Sequence, residues 1–397
     1  MKMKMDFSLK ELERQFSLCI RCKQCTYGNW PKNLPICPIY DKYKFFTYCG
    51  GGIIYLARAI LLDLIERENY NEVLKIISKC TSCGYCGQPC KLVEVAPPYQ
   101  DVTDLIRLLK VDLVKKGVYL SEEHKEVINR VKELKRPFLV SSEEKERLRS
   151  LKSKVPNKGE ILIFSGCIPS YKDIENIDSV INLLNRAKIN YHVMDDEWCC
   201  GSPLLDLGSV DGIAELAEHN LEAIKVMKVS KVVFLCPHCQ EAFQNIYTQV
   251  TKKELDFESI FITKYLKELI DKNVLKPSKS LPYKVTYHDP CYLGRYLGDF
   301  ESARGILNRM PQIKFVEMDR IKEENYCCGG GGGAKILDKD NAMAIGHERA
   351  KEFKKTGAEV LVTACPLCKS QFRDVGKSEG NGMTVKDVVE ILKESLD

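Results

Sequence analysis

Two stretches of this chain carry the same five cysteines in the same order. The first is Cys167, then Cys199-Cys200-Gly201, then Cys236-Pro237-His238-Cys239; the second is Cys291, then Cys327-Cys328-Gly329, then Cys365-Pro366-Leu367-Cys368. The gaps between members are nearly equal in the two copies. Chance does not write such a pattern twice, so the chain contains an internal duplication built to hold metal. Adjacent cysteines such as Cys199-Cys200 cannot readily share one zinc ion with three further thiolates. Neighbouring thiolates suit a polynuclear cluster, where each meets a different iron or bridges two. A vicinal disulfide would leave the other three cysteines of each copy without a role.

The remaining cysteines lie towards the N-terminus. Cys19, Cys22 and Cys25 sit at three-residue steps, as do Cys80, Cys83 and Cys86, with Cys90 following. Thiolates at such steps wrap one corner of a large cluster, and in two-cluster ferredoxins the fourth cysteine of each run serves the other cluster. This predicts one cluster on Cys19, Cys22, Cys25 and Cys90, and a second on Cys80, Cys83, Cys86 and Cys37. The first run departs from the usual spacing, because a loop over Thr26 to Ile36 separates Cys25 from Cys37-Pro38. Cys49, before Gly50-Gly51-Gly52, competes with Cys37 as the last ligand, its simpler reading being a small buried residue before a glycine turn.

Of the 397 residues, 19 are cysteine, 44% are hydrophobic and 29% are charged, with a net charge of +5. This is an ordinary globular composition, and Lys and Arg are too dispersed to form a nucleic-acid footprint. No apolar run follows the charges of Met1 to Asp6, so no signal peptide is expected. The apolar stretch Ile53 to Ile65 is broken by Arg58 and Asp63 and is too short to span a bilayer. Cysteine at this density in an unsecreted protein argues for metal-held thiols and a cytoplasmic setting, any membrane attachment coming from a partner subunit.

Apolar spacing predicts helices over Ile53–Arg67, Asn71–Lys79 and residues 101–116, so the cysteine runs belong to an α-helical module at residues 1–116. Residues 117–157 read as a charged helical linker with a solvated face, its Ser-Glu-Glu starts suiting helix caps. From Gly159 the texture becomes α/β. Short buried strands, Ile161–Ser165, Val232–Leu235, Lys284–Tyr287 and Val360–Thr363, each run up to a cysteine, with helical patterns between them such as Ile213–Met227 and Ala342–Lys354. Two duplicated α/β domains are expected, at 158–280 and 281–397, with cysteines at the carboxyl ends of strands, where open α/β sheets place ligands. Gly329 to Gly333 lacks the phosphate-loop ending and reads instead as backbone passing close to a cluster.

With these residues in hand the chain resembles the D-type subunit of heterodisulfide reductases. The two Cys…Cys-Cys-Gly…Cys-Pro-x-Cys repeats look like CCG domains, and His288-Asp289-Pro290-Cys291-Tyr292-Leu293-Gly294-Arg295 matches a stretch typical of their second repeat. The resemblance implies an α-helical ferredoxin-like domain carrying two 4Fe-4S cubanes, fused to two CCG domains. Each complete five-cysteine motif would hold a noncubane 4Fe-4S cluster, and the CoM–CoB disulfide would be cleaved between the two. It implies an iron–sulfur oxidoreductase with redox partners such as a flavoprotein, a ferredoxin or a membrane cytochrome b. Relatives with this architecture also act as relay subunits between a dehydrogenase or acyl-CoA reductase and a ferredoxin, cytochrome or quinone partner. One departure is Tyr48-Cys49-Gly50-Gly51-Gly52, where relatives commonly show Ser-Pro-Arg-Gly-Arg. His288, three residues before Cys291, is the candidate proton donor or ligand orienter. His238 is expected at the surface, Trp198 in packing, and Lys335 and Arg295 near enough to cluster ligands to attract an anionic thiol.

Overall fold

The computed structural model describes residues 9–28, 34–90, 101–380 and 382–396. Its N-terminal part is helical, with an isolated bridge between Tyr27 and Pro35. Helix α1 (Gly50–Leu61) starts three residues before the apolar pattern does, because its glycines permit close packing. A Cβ on Gly52 would stand 1.9 Å from the Phe46 carbonyl oxygen, and one on Gly50 2.7 Å from Cys86 Cβ. Helix α2 (Tyr70–Ile77) follows, and α3 (Val102–Lys115) is capped by Asp101, whose carboxylate accepts the amides of Thr103 and Asp104. Helix α3 is buried almost all round, Arg107 and Lys110 included. The charged connector forms α4 (Glu122–Leu134) and α5 (Ser142–Lys152), the latter opened by a capping box between Ser141 and Glu144.

Two α/β units with one topology follow. In the first, β1 (Ile161–Phe164) leads through α6 (Cys167–Tyr171) and α7 (Ile174–Arg186) to β2 (His192–Val193). Helix α8 (Ile213–Met227) then leads to β3 (Lys231–Phe234), α9 (Pro237–Glu241), β4 (Glu258–Phe261) and α10 (Ile262–Asp271). In the second, β5 (Lys284–His288) and β6 (Lys314–Val316) precede α11 (Lys339–Thr356). Then come β7 (Val360–Thr363), α12 (Pro366–Ser378), β8 (Thr384–Asp387) and α13 (Val388–Glu394). The sheet orders are β2-β1-β3-β4 and β6-β5-β7-β8, every pairing parallel, so the duplication written in the cysteines is also a duplication of topology. Strands with residues such as Val232, Val233 and Phe234 buried together are what a sheet covered on both faces requires.

A buried ion cluster joins the two units. Lys369 on α12, 0% exposed, lies 2.6 Å from the Asp173 carboxylate of the first unit and also bonds Glu390 on α13. Among the described residues no helix is long and apolar enough to cross a membrane.

Removing one partner of a buried ion pair strands the other charge in low dielectric. Lys369→Met is therefore expected to lower stability by about 3 kcal/mol or more, read as a fall in the thermal midpoint. The double change Lys369→Met/Asp173→Asn should recover part of that loss.

Candidate iron–sulfur centres at the strand ends

In both α/β units the cysteines gather at the carboxyl ends of the central strands. Cys167 follows β1, Cys236 follows β3, Cys291 follows β5 and Cys365 follows β7. Cys236 and Cys365 each cap a helix with proline at its start, and the Cys239 amide donates to the Cys236 sulfur. In the first unit hydrogen-bonding contacts run from Cys167 to Cys199, Cys200, Cys239 and Cys236 in turn. In the second the same chain runs from Cys291 to Cys327, Cys328, Cys368 and Cys365, with Cys328 Sγ 3.3 Å from Cys368 Sγ. The amides of Gly329 and Gly330 donate to the sulfurs of Cys327 and Cys328 at 3.3 and 3.4 Å. Ten thiols in two sets of five, with backbone donors aimed at sulfur, are a donor set suited to polynuclear iron–sulfur groups and exceed what single zinc ions take.

The thiols do not ionise alike. A hydrogen bond from Cys291 pulls Cys327 well below the usual thiol range, while one to Cys327 pushes Cys328 well above it. Burial opposes ionisation of Cys365, but hydrogen bonds from Cys368 and His238 bring it down to about 6.

The N-terminal cysteines form two further groups. Cys19, Cys22, Cys25 and Cys90 line one cavity of about 480 Å³, together with Phe46, Gly51 and Ile54. Cys37, Cys80, Cys83 and Cys86 line another. Cys49 lies fully buried between them, donating to the Phe46 carbonyl at 3.0 Å and hydrogen-bonded to Cys25, which it lowers to about 7. The loop of Cys80 to Cys83 packs on the second α/β unit. Thr81 hydrogen-bonds Cys327, Arg295 donates to the Cys83 carbonyl at 3.0 Å, and the Tyr296 hydroxyl donates to the Ser82 carbonyl at 2.8 Å. The glycine run makes the approach possible: a Cβ on Gly332, at φ +63°, would meet the Thr81 carbonyl carbon at 2.5 Å. Trp30 and Pro31 of the expected loop lie outside the described residues.

His288 is 1% exposed, and one of its ring nitrogens shares a site with Cys328 and Cys368 in which the ligand atoms lie within 4.8 Å of one another. Arg349 Nε donates to its Nδ1 at 3.3 Å, and burial together with that guanidinium holds the imidazole well below the usual histidine range. His238 is not at the surface. It is buried, stacked on Tyr292 with ring centroids 3.6 Å apart, because the first turn of α9 points it inward. Burial alone would depress it, but Cys236 and Cys365, one from each unit, raise it well above normal. Arg295 and Lys335 are taken up by fixed partners: Arg295 by the carbonyls of Cys83, Glu323 and Asn325, Lys335 by Asp374 at 2.7 Å. Trp198 stacks on His219 at 3.6 Å.

The cysteine-rich CCG domain family matches residues 161–244 and 285–373, the two α/β units. The chain is thus a member of the CCG class of iron–sulfur oxidoreductase subunits. Its relatives include the D-type subunit of the dihydromethanophenazine:CoB–CoM heterodisulfide reductase from Methanosarcina acetivorans, 33% identical over 389 residues, 95% of this chain and 93% of that one. The chain belongs to the D-type family of heterodisulfide reductase subunits. The EtfAB:quinone oxidoreductase of Syntrophomonas wolfei is 31% identical over 265 residues, 63% of this chain and 37% of that one. A crystal structure of a hypothetical protein from Helicobacter pylori shares the fold, with a TM-score of 0.51 at 11% identity, covering 87% of this chain and 68% of that one.

Gly332→Ala is expected to force the Thr81 loop and the glycine run apart. Iron per chain should be retained, while the thermal midpoint falls.

Proposed function

We propose that the chain delivers electrons from its N-terminal cysteine sets to the CCG sites and there reduces a disulfide of the CoM–CoB kind. The observation that supports this most is completeness. Both five-cysteine sets are intact and drawn together, where a plain relay needs no more than one liganded group per step. In this reading Cys19, Cys22, Cys25 and Cys90 hold one 4Fe-4S cubane and Cys80, Cys83, Cys86 and Cys37 the other. Cys37 is preferred to Cys49 because it shares a cavity with Cys80, Cys83 and Cys86, whereas Cys49 bonds to Cys25. The ten CCG cysteines hold two noncubane 4Fe-4S clusters. When bound, these groups supply one-electron transfer and an iron on which sulfur can be held.

The protein supplies position and exclusion of water. His288 takes the orienting role of the two expected for it. With Nδ1 accepting from Arg349, its hydrogen sits on Nε2, and one ring nitrogen lies within 4.8 Å of the Cys328 and Cys368 sulfurs. The membrane or soluble redox partner that feeds the N-terminal sets belongs to the same reading.

A second reading, electron relay without small-molecule chemistry, draws support from the likeness to the EtfAB:quinone oxidoreductase. Anaerobic protein assayed for oxidation of a reduced viologen by the CoM–CoB heterodisulfide separates the two. Disulfide-dependent turnover is expected, and absence of turnover with all iron centres still dye-reducible would leave the relay. Cys199→Ser and Cys328→Ser should each abolish that turnover while the N-terminal sets stay reducible. Activity surviving either change would sink the cleavage mechanism.

A further inference from the structure

One imidazole touches both five-cysteine sets. His238 belongs to the first unit, inside Cys236-Pro237-His238-Cys239, and its Nδ1 lies 4.0 Å from the Cys236 sulfur. The same ring is in hydrogen-bonding contact with Cys365 of the second unit. Its Nε2 is buried and finds no oxygen or nitrogen partner among the described residues. That atom faces the glycine run of the second unit, where a Cβ on Gly331 would stand 3.9 Å from it. Buried ring nitrogens are normally satisfied, and here the acceptors at hand are sulfurs of the two sets.

The ring is held in place from the second unit. Tyr292, next to Cys291, stacks on it with centroids 3.6 Å apart, and Tyr296 stacks on Tyr292 at 4.6 Å. The Tyr292 hydroxyl accepts from Arg107, so the stack is tied to α3 as well. The duplication supplies no counterpart to this ring, because Leu367 stands at the matching place in Cys365-Pro366-Leu367-Cys368. His288 differs in kind, since it lies with Cys328 and Cys368 of its own unit. A single side chain from the first copy thus reaches cysteines of both.

We propose that His238 is a positioning residue that couples the two CCG sites, donating hydrogen bonds to a ligand sulfur of each and so matching their electron affinities. The inference rests on the reading that the ten cysteines hold iron–sulfur groups, and it leaves cleavage between the two sites as it stands. A donor aimed at a ligand thiolate stabilises the more negative, reduced state, and hydrogen bonds to sulfur are among the features that set such potentials. A neutral ring has one N–H to divide between the sulfurs, and a protonated ring has one for each. In both cases the two sites draw on the same donor. In the disulfide reading each centre passes one electron to the same molecule, and a wide gap in potential would strand an electron on the centre that holds it more tightly.

The test is a dithionite titration of anaerobically purified holoprotein followed by EPR, with the midpoint potentials of the CCG centres and the N-terminal centres read separately. The first variant is His238→Leu, which places here the side chain that the second copy carries at the matching position. Both CCG centres should become harder to reduce, each one-electron equilibrium falling about tenfold, the scale of one hydrogen bond to a charged group, or about 59 mV. Iron content and the N-terminal potentials should hold. His238→Gln, which keeps an N–H, should recover much of the shift. In a Cys199→Ala/Cys200→Ala background only the second unit's set is complete, and His238→Leu should still lower the potential of the centre that remains. A shift confined to the first unit's centre, or no shift in either, would overturn the coupling and leave the iron–sulfur reading standing. Equal shifts in the Leu and Gln variants would reduce His238 to packing and overturn it likewise. Wild-type protein with no iron signal beyond the N-terminal sets would bring down the coupling and the iron–sulfur reading together.

Discussion

One guanidinium sits where all parts of the chain meet. Arg107 on α3 is 2% exposed, and its neighbours come from every unit: Asp104 at 3.5 Å on its own helix, Asp206 and Glu241 at 3.9 Å from the first α/β unit, and the Tyr292 hydroxyl from the second. Arginine cannot shed its proton. Its charge in this setting must be compensated by groups held in place, and burying it without them would cost several kcal/mol. The ion-pair distances are long, so the compensation is Coulombic and rests on the placement of whole segments. Lys110, one turn on, adds hydrogen bonds to the carbonyls of Gly332 and Asp206 at 2.9 and 3.3 Å. This one helix therefore ties the N-terminal part to both α/β units.

The glycine run answers to the same constraint. Gly331, Gly332 and Gly333 lie against the Thr81 carbonyl, the Cys80–Ser82 backbone and the Asp206 carbonyl, contacts of 3.0 Å or less to any added Cβ. Three separate stretches of backbone converge there, with Cys327 and Cys328 immediately before it in the chain. Close approach of main chain to main chain brings the Thr81 loop within hydrogen-bonding reach of Cys327.

Much of this was legible in the residues. The repeated cysteines announced two equivalent units, and the runs Val232–Leu235 and Val360–Thr363 announced strands ending at them, because apolar runs against cysteine need no tertiary information to be read. What stayed hidden depends on neighbours remote in sequence. The α3 pattern reads as an ordinary amphipathic helix, since nothing local says that Arg107 and Lys110 will meet Asp206, Tyr292 and Gly332. His238 looks like a polar loop residue until Tyr292, far along the chain, supplies a ring to stack on. The linker reads as solvated because its charges are real, yet Val127, Ile128 and Val131 of α4 are buried in the core and its C-terminal Lys135-Arg136 overhangs Cys167. Cys49 read as a small buried residue and is one, but its bond to Cys25 has no signature in spacing.

Duplication with divergence at the flanks explains why equal cysteines need not mean equal centres. Two residues before the cysteine pair the first unit has Glu197 and the second Asn325; inside the closing motif the first has His238 and the second Leu367. Burial raises Glu197 to about 7, with a carboxyl group accepting two amides beside Cys199. The second site has instead the buried cations Arg349, bonded to His288, and Arg295, bonded to the Cys83 carbonyl. Identical ligands among unlike neighbours make two distinct sites, one enclosed near the Thr81 loop, the other with Cys167 and Cys199 lining a cavity under the connector.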